Sequence, residues 1–270
     1  MESASRGDTS GKLKSSNNSK SNTSIFDLGI RNAAINNGVV LFNDRKMNLD
    51  ANLQNVDFHS TFKAAQKMYS GRLKYTNGKI VYGTYRPLEH NFDASFDLTP
   101  TTFQLHRALI TSPAAKIYLA ATVNNFHSPV MQANYQVTVD GAQVAKLMNN
   151  PTIPAGTIRA TGTAHYEQVA NKAALDTVML DGDLTSQRLL VHTSSIRTTI
   201  DNIAAHYSVA NGDATLHDFT AHLLGGAITA QATMKDLTGN THSEMTAKVR
   251  DISLGDATRT FAPHATPGMA

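Results

Sequence analysis

The chain of 270 residues has no cysteine, no tryptophan and a net charge of only +3 at neutral pH. Without cysteine it forms neither disulfides nor thiolate metal sites. No run reaches about 18 consecutive apolar residues, and the amino terminus has no apolar stretch of the signal-peptide kind. The sequence therefore predicts neither a transmembrane helix nor a cleaved leader. At this length the chain can still bury a substantial core.

The first 24 residues differ in composition from the rest of the chain. Thirteen of them are Ser, Thr or Asn, and they carry four basic and two acidic residues, which leaves a net charge of only +1 for the remainder. Such a segment has almost nothing to bury, so we expect a disordered linker over 1–24. Because the body of the chain is nearly neutral, we expect no nucleic-acid partner.

Patterns typical of helices are scarce. The segment 142–150 places Val144, Leu147 and Met148 on one helical face, and Pro151 follows it, so the sequence predicts a short helix there. The segment 62–68 contains good helix formers as well, although strand-like segments flank it on both sides.

Alternation of apolar and polar residues dominates the chain after residue 24. Between Asn211 and Met234, an Asn-Gly pair precedes one alternating run and a Gly-Gly pair precedes another. Asn-Gly favours a type I′ hairpin turn, in which both central residues need a positive φ. The same pair occurs at 37–38 and 77–78. About a dozen such strands predict an all-β chain with antiparallel neighbours, each strand having one apolar and one polar face.

Side chains that could act as catalytic residues or metal ligands are dispersed along the strands. His217 and His222 are five residues apart, which places them on opposite faces of a regular strand and disfavours a shared metal ion. Five aspartates, which we interpret as capping turns at strand ends, are Asp44, Asp97, Asp181, Asp183 and Asp218. No nucleophile elbow or phosphate-binding glycine loop is present. We therefore expect no catalytic residue, no metal site and no cofactor.

Two of these turn-and-strand patterns carry a resemblance. The segments 26–44 and 211–226 resemble the AsmA family of the Gram-negative cell envelope, which includes TamB-type proteins, and the resemblance extends over about 25–255. It implies an elongated, twisted, open β-sheet shaped like a half-pipe with an apolar concave face. It also implies an inner-membrane anchor, a periplasmic location, transfer of phospholipid towards the outer membrane, and contact with outer-membrane assembly proteins. The chain lacks the anchor helix of that family, so we expect it to be a segment of a longer protein.

The expected organisation follows from these patterns. Residues 1–24 form the linker, 25–255 the groove region and 256–270 a flexible tail. Within the groove region, the helix 142–150 joins the sub-segments 25–140 and 151–255, which we expect to share one apolar face without a second core.

The apolar strand positions are the candidate binding surface. An apolar trough needs an occupant, because soluble proteins rarely leave a large apolar patch bare, and acyl chains fit it by burial of CH₂ groups alone. The predicted lining residues are Leu49, Leu53, Phe96, Leu119, Val123, Val137, Ile158, Leu180 and Ile228.

Two other interpretations fit the alternation. In a structural or adhesive surface protein, the apolar faces would pack on each other in a closed sandwich or barrel with a dry core. In a β-solenoid enzyme acting on polysaccharide, paired carboxylates would lie along one face.

Overall fold

A computed structural model of the chain describes residues 25–46, 48–193, 196–253, 255 and 257–258. The predicted linker over 1–24 and nearly all of the predicted tail over 256–270 lie outside the described residues.

In the described part of the chain, thirteen strands form one antiparallel sheet, in which neighbours in sequence are neighbours in the sheet. The strands are β1 (Asn32–Asp44), β2 (Leu49–Lys63), β3 (Met68–Tyr82), β4 (Leu88–Leu98), β5 (Thr102–Thr111), β6 (Ala115–Asn124), β7 (Val130–Asp140), β8 (Ala155–Glu167), β9 (Val178–His192), β10 (Arg197–Ala210), β11 (Asp213–Leu223), β12 (Gly226–Lys235) and β13 (His242–Arg250). The helices α1 (Ile25–Leu28) and α2 (Gly141–Leu147) accompany the sheet in the described part of the chain. The all-β prediction is confirmed.

The sheet is open. Its edges are β1 and β13, which do not pair with each other, and apart from the packing of α2 on β7 and β8 the main contacts join neighbouring strands. Within the described residues there is no second sheet for the apolar faces to pack against. The open antiparallel sheet is therefore confirmed, and a closed sandwich or barrel is wrong for this part of the chain.

The helix α2 lies in the connection between β7 and β8. The Asp140 carboxylate accepts a hydrogen bond from the Gln143 N–H at 3.1 Å, which caps the amino end. The helix ends at Leu147, a few residues before Pro151. Because β7 pairs with β8 over its whole length, the sheet passes this connection without interruption. The other candidate helix is only a 3₁₀ turn, Ala64–Gln66, between β2 and β3.

The three Asn-Gly pairs have two different structures. At the hairpin between β10 and β11, Asn211 and Gly212 have φ values of 54° and 77°, as a type I′ turn requires. The other two pairs are not hairpin turns, and that prediction is wrong. Asn37 lies inside β1 and Asn77 inside β3, each at a β-bulge where the pairing register shifts.

Side chains of the next strand support these two bulges. The backbone N–H of Asn37 donates to Asp57 Oδ1 at 2.9 Å, and that of Asn77 donates to Asn91 Oδ1 at 3.0 Å. Both asparagines have φ near +50° to +60°, a conformation that Asn adopts more readily than most residues. The chain therefore continues as a strand through each pair instead of reversing.

Candidate functional site

One row of side chains crosses the entire sheet on its apolar face. Following the cross-strand partners from β1 to β13 gives a row that we call the central row. Its members are Ile35, Phe58, Leu73, Ala94, Ala108, Leu119, Tyr135, Gly162, Gly182, Tyr207, Leu216, Ala232 and Met245. With neighbouring strands about 4.8 Å apart, such a row is about 58 Å long. None of its members is charged.

All nine predicted lining residues lie on this apolar face. Leu119 belongs to the central row. Phe96 and Leu180 belong to the adjacent row, in which the cross-strand partners between them on β5 to β8 are all leucine or alanine. Each of the nine side chains is half-buried, neither enclosed nor fully exposed. The register thus places the nine lining residues, which come from seven strands, on one face. Their binding of acyl chains stays a prediction.

The predicted lining residues are half-buried because the apolar face carries only one layer of side chains. Small residues on the apolar face, such as Ala94, Ala108 and Ala133, are buried beneath their larger neighbours. The larger side chains shelter one another and keep their outer surfaces accessible. The few buried polar side chains of the described part include Ser60, His90 and Ser186.

Two tyrosines meet over glycines in the middle of the apolar face. Tyr135 on β7 and Tyr207 on β10 bring their hydroxyl oxygens within 2.6 Å of each other. Between them in the central row lie Gly162 on β8 and Gly182 on β9. A Cβ atom at Gly182 would lie 2.9 Å from both hydroxyl oxygens, so the bridge needs a residue without a side chain there. We call this arrangement the tyrosine bridge.

Sequence reasoning identified all four positions as members of alternating strands but missed the bridge. The available signal was glycine at apolar-face positions of two consecutive strands, where the alternation otherwise places large residues. Burial and the hydrogen bond to Tyr207 together raise the pKa of the Tyr135 hydroxyl far above its ordinary value. The Tyr135 hydroxyl therefore stays protonated at neutral pH.

A second aromatic group covers the apolar face near its amino-terminal end. Phe96 on β4 lies over Gly71 on β3 and stacks on Phe58 of β2, with ring centroids 6.3 Å apart. Phe103 on β5 continues the group at 5.7 Å from Phe96. An aromatic ring thus lies above a glycine at two places on this face, in the tyrosine bridge and at Phe96.

A buried polar pair also lies on this face. The Tyr75 hydroxyl and His90 Nε2 are 2.9 Å apart, and His90 Nδ1 lies 3.2 Å from the Leu88 carbonyl oxygen. Because a carbonyl only accepts, Nδ1 donates to it, and Nε2 of the neutral ring accepts from the tyrosine. Burial raises the pKa of Tyr75. This pair is satisfied internally and offers no free group to a ligand.

Within the described residues, the ion pairs lie on the opposite, polar face. Arg72 contacts both carboxylate oxygens of Asp93, at 2.9 and 2.6 Å, and lowers the pKa of that carboxyl. His206 lies between two carboxylates of β9, with Nδ1 3.0 Å from Asp183 and Nε2 3.2 Å from Asp181. The hydrogen bond to Asp183 is the largest cause of the raised pKa of His206.

The aspartates are therefore not all at strand ends, as the sequence predicted. Asp44 ends β1 and Asp97 lies next to the last residue of β4. Asp181 and Asp183 lie inside β9, and Asp218 lies inside β11 with a φ of 45°. For these three the interpretation as turn caps is wrong, because two of them pair with a neighbouring strand and one forms a bulge.

The bulge at Asp218 also changes the positions of two histidines. In a regular strand His217 and His222 would lie on opposite faces, but the extra residue places both on the polar face. His217 Nε2 is 3.1 Å from the Ser208 hydroxyl. Within the described residues, no three His, Asp or Glu side chains come together in a way that could hold a metal ion.

The polar face also carries depressions, as expected of a twisted, saddle-shaped sheet. One of about 740 Å³ extends over β5 to β10 and is lined by polar residues that include Gln104, Gln132, Thr163 and Ser208. Another of about 740 Å³ lies beside α2, where Ile153, Leu190 and Arg197 contribute to its walls.

Comparison with models of known protein families, with curated proteins and with solved structures finds no match to this chain. The resemblance to the AsmA family thus rests on the Asn-Gly and Gly-Gly pairs and the alternation of the sequence alone. Among the described residues, no helix has the length and apolar character needed to cross a bilayer.

Proposed function

We propose that the apolar face holds phospholipid acyl chains and that the chain is a non-enzymatic segment of a lipid-conducting envelope protein. One observation carries the proposal: the apolar face is continuous over all 13 strands and no second layer of the described residues covers it. The central row and its two neighbouring rows occupy on the order of 1,000 Å². That exceeds the apolar patch of a few hundred Å² that a soluble protein ordinarily leaves bare.

The chemistry of the face suits an acyl chain. Each buried CH₂ group contributes about 0.8 kcal/mol without any directional contact, so lipid is held along the face independently of local sequence. The hydroxyls of Tyr135 and Tyr207 bond to each other. Because one hydroxyl donates to the other, only one O–H hydrogen in the middle of the face is left for an acyl chain to desolvate.

The setting in the envelope rests on the resemblance. It gives the chain a periplasmic location, attachment to the inner membrane through a part of the parent protein outside this chain, and a role in outer-membrane biogenesis with assembly proteins as partners. The alternative of an adhesive protein with a dry, closed core has no support from an open sheet.

Site-specific photo-crosslinking tests lipid contact directly. A crosslinker at Leu180 or Ile228 on the apolar face should trap phospholipid in cells. Matched crosslinkers at Met179 and Thr229, the neighbouring positions on the polar face, should not. Lipid mass spectrometry of the natively extracted protein identifies the species. Equal labelling of both faces, or of neither, contradicts the proposal.

A charge on the apolar face tests conduction. Leu180→Asp places a carboxylate where acyl chains would pass, whereas Met179→Asp places one on the polar face. Because Leu180 is only half-buried, we expect the folded state to survive and the co-purified lipid to be lost. The parent protein with Leu180→Asp should fail to restore outer-membrane integrity in cells lacking it. Full restoration by the folded variant contradicts conduction.

A further inference from the structure

The edge strand β1 exposes apolar side chains on both of its faces. Ile35, Val40 and Phe42 lie on the apolar face of the sheet, whereas Val39 and Leu41 point to the polar face, and all five are exposed. A strand that is apolar on both faces is typical of the interior of a sheet. At an open edge it is a template for pairing with another strand.

The other edge differs in composition. β13 carries Glu244, Lys248 and Arg250 on its polar face, and charged side chains of this kind protect an edge from pairing. Between Asn32 and Asn43, β1 has no charged residue at all. The two edges are therefore not equivalent: β1 has a bulge at Asn37 but no charge along most of its length, and β1 is the one suited to a partner strand.

We propose that β1 pairs antiparallel with β1 of a second copy of this chain. The two copies are related by a two-fold axis perpendicular to the sheet, so their apolar faces lie on the same side and the sheet doubles in width. An isologous contact of this kind closes after two copies, whereas pairing of β1 with the charged β13 would propagate into a filament. The inference does not depend on the lipid proposal.

The sequence of β1 is complementary to itself in one register on either side of the bulge at Asn37. Ile35 lies opposite the partner subunit's Val40, Ala33 opposite the partner's Phe42, and Ala34 opposite the partner's Leu41. Leu41 and Phe42 thus each meet an alanine, and outside the bulge apolar-face residues meet apolar-face residues, whereas Val39 meets the partner's Asn36. At both ends Arg31 lies opposite the partner's Asp44, which adds charge complementarity.

The amino-terminal residues do not offer an equivalent strand. Residues 1–24 contain only Met1, Ala4 and Leu13 as apolar residues, whereas β1 presents apolar side chains on both faces. A second copy of β1 matches both faces and both ends of the strand.

Sedimentation of the purified chain over a range of concentrations tests the dimer. Wild type should sediment as a dimer, and Leu41→Lys should sediment as a monomer with an unchanged circular dichroism spectrum, since Leu41 is 73% exposed. Met245→Lys is the matched control, because Met245 on β13 is 74% exposed. It should remain dimeric. A monomeric wild type, or dissociation by Met245→Lys but not by Leu41→Lys, overturns the proposal.

Cysteine pairs test the register in a chain that has no native cysteine. Ile35→Cys/Val40→Cys and Ala34→Cys/Leu41→Cys each place two thiols opposite each other between copies. Neighbouring pairs alternate between narrow and wide spacing, so at least one of the two variants should form a disulfide-linked dimer on mild oxidation. The mismatched Ile35→Cys/Leu41→Cys should not. Crosslinking of the mismatched variant alone overturns the register.

Discussion

The hydroxyl oxygens of Tyr135 and Tyr207 lie 2.6 Å apart, although two strands separate β7 from β10. Three strand spacings of about 4.8 Å place the two strands about 14 Å apart, so each phenol ring must lean over a glycine to reach the other. The bridge connects four strands on a face that no second layer of the described residues covers. We therefore expect the tyrosine bridge to stabilise the open sheet.

The first prediction concerns the hydrogen bond of the tyrosine bridge. Tyr135→Phe should destabilise the fold by about 1 kcal/mol, because it leaves the half-buried Tyr207 hydroxyl without its partner. The double variant Tyr135→Phe/Tyr207→Phe removes both polar groups and should cost less than the sum of the single variants. Urea denaturation of the four proteins gives the coupling energy. Strictly additive costs would show that the two hydroxyls do not interact.

The second prediction concerns the glycine beneath the bridge. A methyl group at Gly182 would lie 2.6 Å from the Thr161 carbonyl oxygen and 2.9 Å from each phenol oxygen. Gly182→Ala should therefore cost about 1–3 kcal/mol of stability, as overpacking does. Thermal or chemical denaturation measures the loss.

The control for Gly182→Ala is the same substitution in the double variant Tyr135→Phe/Tyr207→Phe. Without the two phenol oxygens, only the Thr161 carbonyl opposes the new methyl group, so Gly182→Ala should cost less there than in wild type. An equal cost in both backgrounds would place the strain in the backbone contact rather than in the bridge.

The alternation of the sequence was sufficient to assign the apolar face. Leu180 and Ile228 share a face because side chains alternate with a period of two and every connection joins neighbouring antiparallel strands. Both properties are local, so they can be read from one sequence. The helix α2 was predictable for the same reason, since its apolar face, its capping Asp140 and the following Pro151 are close together in the chain.

The bulges could not be predicted from the same local information. Asn77-Gly78 and Asn211-Gly212 are the same dipeptide, yet only the second reverses the chain. The difference lies in a partner on another strand, because Asn91 accepts the hydrogen bond of the Asn77 N–H. The tyrosine bridge escaped prediction for a similar reason, since it joins residues 72 positions apart whose register depends on all strands between them.

The third prediction concerns the bulge in β3. Asn77 has a φ of 57°, where a β-branched side chain is disfavoured by about 1–2 kcal/mol. Asn77→Val should destabilise the fold by at least that amount, whereas Asn77→Gly, which adopts this conformation freely, should change stability by only a few tenths of a kcal/mol. Denaturation midpoints of the two variants provide the comparison. Equal stability of both would mean that the backbone there is extended rather than bulged.

The fourth prediction concerns the pKa of His206. Its imidazolium form is favoured by Asp183 first and by Asp181 second, so its pKa in the folded state is raised above the ordinary value of about 6.5. Asp183→Asn should lower that pKa more than Asp181→Asn does, because the hydrogen bond to Asp183 is the largest cause. Titration of the ring protons by NMR measures both shifts.

The sign of the accompanying pH effect follows from linkage. A pKa raised by folding stabilises the protein fully below the unfolded-state pKa, and the stabilisation disappears as the pH rises through the folded-state pKa. Stability should therefore fall slightly from mildly acidic to mildly alkaline pH, and Asp183→Asn should flatten that slope. Asp97→Asn, which removes a carboxylate on the distant β4, should leave the titration of His206 unchanged. A His206 pKa that is insensitive to Asp183→Asn would mean that the ring and this carboxylate do not bond in solution.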